Sequence, residues 1–182
     1  MRFEYVVEKR TDGKAKIYVL DTNALLILRA DKLQNHTCYT IPEVLDEIKT
    51  VKHKALVEML IDLGILRVCE ASKESLKVVG GAAKTTGDVE ALSETDMKLL
   101  ALAIELKSLG HDVVLLTDDY TMQNLASRLN IKFQSIKTRG IEKRIKWGYK
   151  CMACGKVFKE YVKTCPVCGH KTRREVLEYE SL

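Results

Sequence analysis

No apolar run of this 182-residue chain approaches the roughly 20 residues that a bilayer-spanning helix needs. The opening stretch, MRFEYVVEKR, is too charged for a secretory signal. Membrane and export classes are thereby excluded, and a soluble, cytoplasmic protein is expected. No internal repeat is visible beyond two cysteine knuckles near the C-terminal end. Nor is the chain short of apolar residues: they make up 46% of it, enough for a packed core, so wholesale disorder is excluded. The length suggests one medium domain with a small second one.

What charge there is lies unevenly. Residues 1–136 carry a formal net of −2, whereas residues 137–182 carry +7. Basic charge gathered at that end points to a polyanionic partner there.

Apolar periodicity predicts a strand over 16–20, a helix over about 22–30 and a strand over 38–41. It then predicts a helix beginning near Pro42, another over about 52–63 ending at Gly64, and a strand over 65–69. Residues 70–92 contain Gly80-Gly81 and Gly87 and read as a short helix with mobile ends, or as a loop. Ser93 caps a helix closed by Gly110, followed by strand 112–116, helix 120–129 and a short strand near 131–136. Strands alternating with helices imply an α/β fold, a parallel sheet with helices on both faces. The first 15 residues alternate like a strand around Asp12-Gly13 and read as an edge hairpin or a frayed extension. The expected organisation is this extension, a main domain over 16–136, a basic linker over 137–146 and a small module over 147–182.

In a parallel α/β sheet, ligands bind at the carboxyl ends of the strands. Acidic residues cluster at that address here. Asp21 follows the first strand in KIYVLDTNALLIL, Asp118 and Asp119 follow a later one in LLTDDY, and Asp96 lies in the first turn after Ser93. Glu43 and Glu47, in IPEVLDEIKT, are four apart and share a helix face. Taken singly, each Asp is a reasonable helix cap. Together they would gather negative charge that cations must neutralise. A donor set without His or Cys suits Mg²⁺ or Mn²⁺ rather than zinc. Such ions activate a water and stabilise the leaving oxygen in attack on a phosphodiester, so a metal-dependent nuclease is expected. A dehalogenase-type phosphatase would need Asp where Asn23 stands, and a receiver domain would carry its acidic pair after the first strand.

YVLDTNALL, IPEVLDEI, SETDMKLLALAIEL and LLTDDYTMQNLA resemble, in order, the four acidic motifs of the PIN-domain ribonucleases across residues 16–136. The resemblance implies that Asp21, Glu47, Asp96 and Asp119 carry the metal, with Thr22, Asn23 and Thr117 orienting carboxylates or water. Spacing from Thr117 favours Asp119, with Asp118 as the alternative.

Farther on, CMACGKVFKEYVKTCPVCGH pairs Cys151 with Cys154 and Cys165 with Cys168, each pair followed by glycine. Two such knuckles match a structural zinc site closed by four thiolates, leaving His170 as a bystander. Cys38 and Cys69 sit singly among apolar residues and read as core. Around the knuckles, Lys143, Arg144, Lys146, Lys150, Lys159 and Arg173 interleave with Trp147, Tyr149 and Phe158. Cations for phosphate and rings for unpaired bases make an RNA-binding face, with some of the aromatics taken by the module's own packing.

A PIN domain joined by a basic linker to a four-cysteine zinc ribbon is similar to the Nob-type endonucleases, with TDDYTMQN and CPVCGH the most similar stretches. The resemblance implies an archaeal member that cleaves precursor small-subunit (16S-type) rRNA at its 3′ end within a pre-ribosomal particle. A toxin-type PIN ribonuclease and a non-catalytic RNA-binding assembly factor are the alternatives.

Overall fold

The structure is a computed structural model that describes residues 16–28, 33 and 36–182. The first 15 residues, read above as a hairpin or extension, lie outside the described residues, as do residues 29 and 30 at the expected end of the first helix.

Among the described residues, five parallel strands form the main sheet. The central one, β1 (Lys16–Leu20), pairs with β2 (Thr37–Thr40) on one side and β4 (Asp112–Leu116) on the other. β3 (Leu66–Val68) and β5 (Lys132–Gln134) complete the order β3-β2-β1-β4-β5. β1 and β4 read as nearly continuous apolar runs because both of their faces are covered: Val19, Leu20, Val113, Val114, Leu115 and Leu116 are all buried. Between the strands run α1 (Thr22–Ile27), α2 (Pro42–Asp46), α3 (Val51–Asp62), α4 (Lys73–Thr86), α5 (Glu94–Ser108) and α6 (Tyr120–Arg128). α5 is buried nearly all round its middle, through Leu99, Leu100, Ala101, Leu102, Ala103 and Leu106, and is the central helix of the core.

The glycine-bearing stretch 70–92 holds a full helix. α4 is capped by Ser72 and ends at Gly87. The Glu105 carboxylate of α5 accepts the Ser72 N–H at 2.7 Å, and Val79 and Ala83 are completely buried. Packing on α5 offsets the low helix propensity of Gly80-Gly81, about 1 kcal/mol each relative to Ala.

The C-terminal module is an antiparallel sheet in which β6 (Lys143–Cys151) lies between β7 (Val157–Phe158) and β8 (Thr172–Ser181). β6 begins inside the segment read as linker, with Lys143 opposite Ser181, and it packs on α4 and α6. No helix among the described residues is long and apolar enough to cross a membrane.

Candidate active site and metal centre

After β1 the chain lays β2 and β3 to one side, and it later returns to lay β4 and β5 on the other. The crevice beyond the carboxyl ends of β1 and β4 is therefore the switch point of the sheet, where α/β folds bind ligands. Leu20 is in register with Leu116, which makes Asp21 the neighbour of Thr117; the Asp21 N–H donates to Leu116 O at 3.3 Å.

Asp21 is only 9% exposed. Its carboxylate caps α1 by accepting the Ala24 N–H at 2.6 Å. Burial pushes its pKa up; hydrogen bonds from Thr117 and Ala24 partly offset this, and the negative charges of Asp118 and Asp96 add to it. Glu47 ends α2 and accepts a hydrogen bond from Thr22, which joins it to the first turn after Asp21. Glu43, its companion on the same helix, is bound instead to Lys98 at 2.7 Å, and Lys98 also holds Glu94.

The remaining acids are engaged with their own helices or loops. Asp96 forms a reciprocal box with Ser93, whose N–H it accepts at 2.9 Å while Ser93 Oγ accepts its own N–H at 3.1 Å. Asp119 caps α6 by accepting the N–H groups of Thr121 at 2.6 Å and Met122 at 3.0 Å. Asp118 reaches across to the loop after β5 and accepts the N–H groups of Ile136, Lys137 and Thr138 at 2.8, 3.1 and 3.3 Å. Partial desolvation raises its pKa, but those backbone donors outweigh it and leave the group below the usual carboxylate value. Thr117 is fully buried behind Asp21, and Asn23 stands exposed in α1. Capping and clustering are thus not exclusive: Asp21, Asp96 and Asp119 all cap, and Asp21 still feels Asp96 and Asp118. Among the described residues, however, the four cysteines are the one set of three or more acidic, imidazole or thiol groups that stands gathered closely enough to share an ion.

A pKa raised above the unfolded value means that native Asp21 holds its proton more tightly than the unfolded chain does. Metal-free stability therefore falls as pH rises from about 3.8 through the raised native value, and it stays lower at neutral pH. Asp21→Asn, which removes the charge and keeps a capping oxygen, is expected to raise the metal-free melting midpoint at pH 7 and not at pH 3. A chain of this size gains ~2–4 °C per kcal/mol. A lower midpoint at pH 7 would show that the carboxylate is stabilising as it stands.

The four cysteines converge as the spacing predicts. Their ligand atoms all lie within 4.8 Å of one another, with Cys151 and Cys168 sulfurs 3.3 Å apart and Cys154 and Cys165 sulfurs 3.7 Å apart. Four thiolates around one zinc at ~2.3 Å would stand about 3.8 Å apart, so the set fits a zinc ribbon with little adjustment. The knuckles repeat each other: Cys151 N–H donates to Lys156 O and Cys165 N–H to His170 O, both at 2.8 Å. Gly155 and Gly169 follow with φ of +74° and +73°, a region costly for any side chain. The Cys154 N–H beside the Cys151 sulfur is the first cause of a thiol pKa pulled down to about 6, while Cys168, hydrogen-bonded to Cys151, is pushed up to about 12, so the two share a proton that a metal would displace. His170 turns Nδ1 to Cys168 O at 3.0 Å, away from the sulfurs.

The expected RNA-facing residues divide. Lys143, Lys159 and Arg173 are exposed. Lys146 is half-buried, and Lys150 pairs with Glu175 at 3.1 Å. Arg144 and Trp147 face the main domain: Arg144 Nε donates to Ser127 Oγ at 2.6 Å, and Trp147 lies between Gly87 and the Arg174 guanidinium. Sequence reasoning missed Asp88, Gln123, Asn124 and Ser127, which are polar and buried. A clue was present: the polar face of α6 carries amides and a hydroxyl where a solvated helix usually carries Lys and Glu.

The family model described as "PIN domain of ribonuclease" matches residues 18–106, which places the main domain among the PIN-domain ribonucleases. Endoribonuclease Nob1 of Pyrococcus abyssi is 47% identical over 133 residues, covering 72% of this chain and 79% of that protein. Ribonuclease VapC1 of Thermoplasma acidophilum is 37% identical over 91% of this chain and 81% of its own length. The 20S-pre-rRNA D-site endonuclease NOB1 of Saccharomyces cerevisiae is 35% identical over 91 residues, half of this chain but 20% of the yeast protein. The chain belongs to the Nob1 family of PIN-domain endoribonucleases. It is accordingly an endoribonuclease with RNA as its substrate, and its catalytic class uses divalent metal.

Proposed function

We propose that this endonuclease cuts precursor small-subunit (16S-type) rRNA at its 3′ end, in the cytoplasm and on a pre-ribosomal particle. The acidic strand ends are its cutting site, and the ribbon is its address on the RNA. The observation that carries the cutting site is Asp21: a nearly buried carboxylate at the sheet's switch point, made costlier to ionise by the charges of Asp118 and Asp96. A divalent cation relieves that cost, and all-oxygen donors select Mg²⁺ or Mn²⁺. Asp21, Glu47, Asp96 and Asp119 would hold it, with Asp118 at the rim. Bound there, such ions supply an activated water and stabilise the leaving oxygen. The chain's own part is orientation: Thr117 and the Ala24 N–H fix Asp21, Thr22 turns Glu47 toward α1, and exposed Asn23 would meet a water or the scissile phosphate.

Zinc is the ion for the four cysteines, because a closed thiolate set is structural and leaves no position for chemistry. The exposed Lys143, Lys159 and Arg173 then give the ribbon its hold on phosphate. The rRNA substrate is supported by the name of the yeast relative. A toxin-like role keeps some support from the VapC1 match, which spans nearly the whole chain. Incubation with precursor small-subunit rRNA and Mn²⁺, followed by mapping of the ends, separates the two: cleavage at one position near the mature 3′ end is expected. Scattered or tRNA-directed cuts reject the ribosomal role.

A further inference from the structure

The segment between nuclease and ribbon is gripped along its length by one helix. Gln123, Asn124, Ser127 and Arg128 fall on one face of α6. Gln123 Nε2 donates to Thr117 O and Ser135 Oγ, both at 2.8 Å, while its Oε1 accepts the Ile141 N–H at 2.8 Å. Asn124 completes the hydrogen bonding of one residue of β6, accepting the Ile145 N–H at 2.7 Å and donating to Ile145 O at 2.9 Å. Its side chain thereby stands in for a neighbouring strand. Arg128 closes the row on β8 through Glu180 at 2.9 Å.

A second anchor lies beside the first. Asp88 is fully buried; it accepts from Asn124 Nδ2 at 3.0 Å and pairs with Arg174 of β8, whose guanidinium sits 3.9 Å from the Trp147 ring centre. Gly87, at φ +73°, lets the strand approach so closely that a Cβ there would lie 2.9 Å from Trp147 O. The Tyr149 hydroxyl, on a side chain 1% exposed, donates to Gly87 O at 3.0 Å. A flexible tether needs none of this. Rotating the ribbon, or sliding it by one residue, would leave Asp88, Asn124 and Ile145 buried without partners.

The same helix begins at the cutting site, since Asp119 caps it and Gln123 holds Thr117 O. We propose that this interface determines where RNA is cut, with Asn124 and Asp88 as positioning residues that fix the separation between the ribbon's contact on an RNA and the acidic strand ends. The proposal rests on the cutting site and RNA address assigned above.

The zinc-loaded full chain and its Asn124→Ala, Asp88→Asn and Arg174→Gln variants test it. Arg174→Gln breaks the ion pair from the partly exposed ribbon side while keeping a hydrogen-bond donor for buried Asp88, and cleavage of the short RNA reports whether the nuclease domain stays intact. Three readouts are compared: residual dipolar couplings of the two modules, the map of cut positions on precursor rRNA, and kcat/KM on a short unstructured RNA. Wild type is expected to show one alignment tensor and one dominant cut. The variants are expected to show two tensors and at least a fivefold loss of the dominant product in favour of flanking cuts, with the short RNA cleaved within twofold of wild type. Variants whose modules reorient while the cut stays in place overturn the inference and leave the proposed function intact. Equal losses on both substrates also overturn it, since they mark damage to the nuclease itself. A wild-type chain with no preferred position removes the proposed function and this inference together.

Discussion

Asp21→Asn is expected to slow RNA cleavage by about a thousandfold or more, the scale of the several kcal/mol that a held divalent ion contributes to phosphoryl chemistry. The substitution is mild everywhere else. Asparagine caps a helix about as well as aspartate, so α1 keeps its Ala24 hydrogen bond, and the buried site loses only a charge that burial already penalises. RNA affinity should stay within a few-fold, because the exposed cations of the ribbon are untouched. Titration with Mn²⁺ followed by heating makes the same point independently of turnover: the midpoint of the wild type should rise with Mn²⁺, and that of the variant should rise far less. Cleavage within tenfold of wild type would move the reaction to another part of the surface. Asp118→Asn supplies a graded comparison, since its carboxylate serves the backbone of 136–138 and its loss should loosen that loop as well.

Removing metal from the four cysteines is expected to have the largest effect on structure. Structural zinc contributes on the order of 10 kcal/mol to such small modules, far more than their few apolar contacts supply. Stripping with a chelator, or Cys151→Ser with Cys154→Ser, should unfold the knuckles and the short β7 pairing. The end of the β6–β8 ladder near Lys143 and Ser181 should persist, because Asn124, Arg128 and Asp88 hold it from the nuclease side. Hydrogen exchange should therefore rise sharply across 152–171 and little across 143–149. RNA binding should weaken more than tenfold, with a flatter dependence on salt as phosphate contacts disappear. Uniform loss of protection over both modules would show instead that the nuclease domain depends on the ribbon for its own stability.

Much of this architecture is legible in the amino-acid order, for reasons that differ from element to element. β1 and β4 are buried on both faces, so their apolar runs announce themselves. The cysteine knuckles are local in sequence, and their glycines mark the turn. Ser93 and Asp96 signal the start of α5 because a capping box is a local device. Residues 70–92 read less clearly, since the helix there is stabilised by contact with Glu105 and the core, which no local pattern encodes. The acidic site was legible as a set of positions at strand ends; the direction in which each carboxylate turns was not, because capping and clustering call for the same residue type. The polar face of α6 carries no local signal of its role, because its partners lie up to 52 residues away at Glu180.

Because the acids at the strand ends accept backbone hydrogen bonds, an ion at the proposed site that drew Asp96 or Asp119 off its cap would be thermodynamically linked to fraying of that helix. Swinging Asp96 or Asp119 toward an incoming ligand releases the amides of Ser93 or of Thr121 and Met122, at about 1 kcal/mol for each cap surrendered. Those few amides are built-in reporters, visible in a spectrum before any product forms. The same linkage would lower the affinity of the proposed site for its ion.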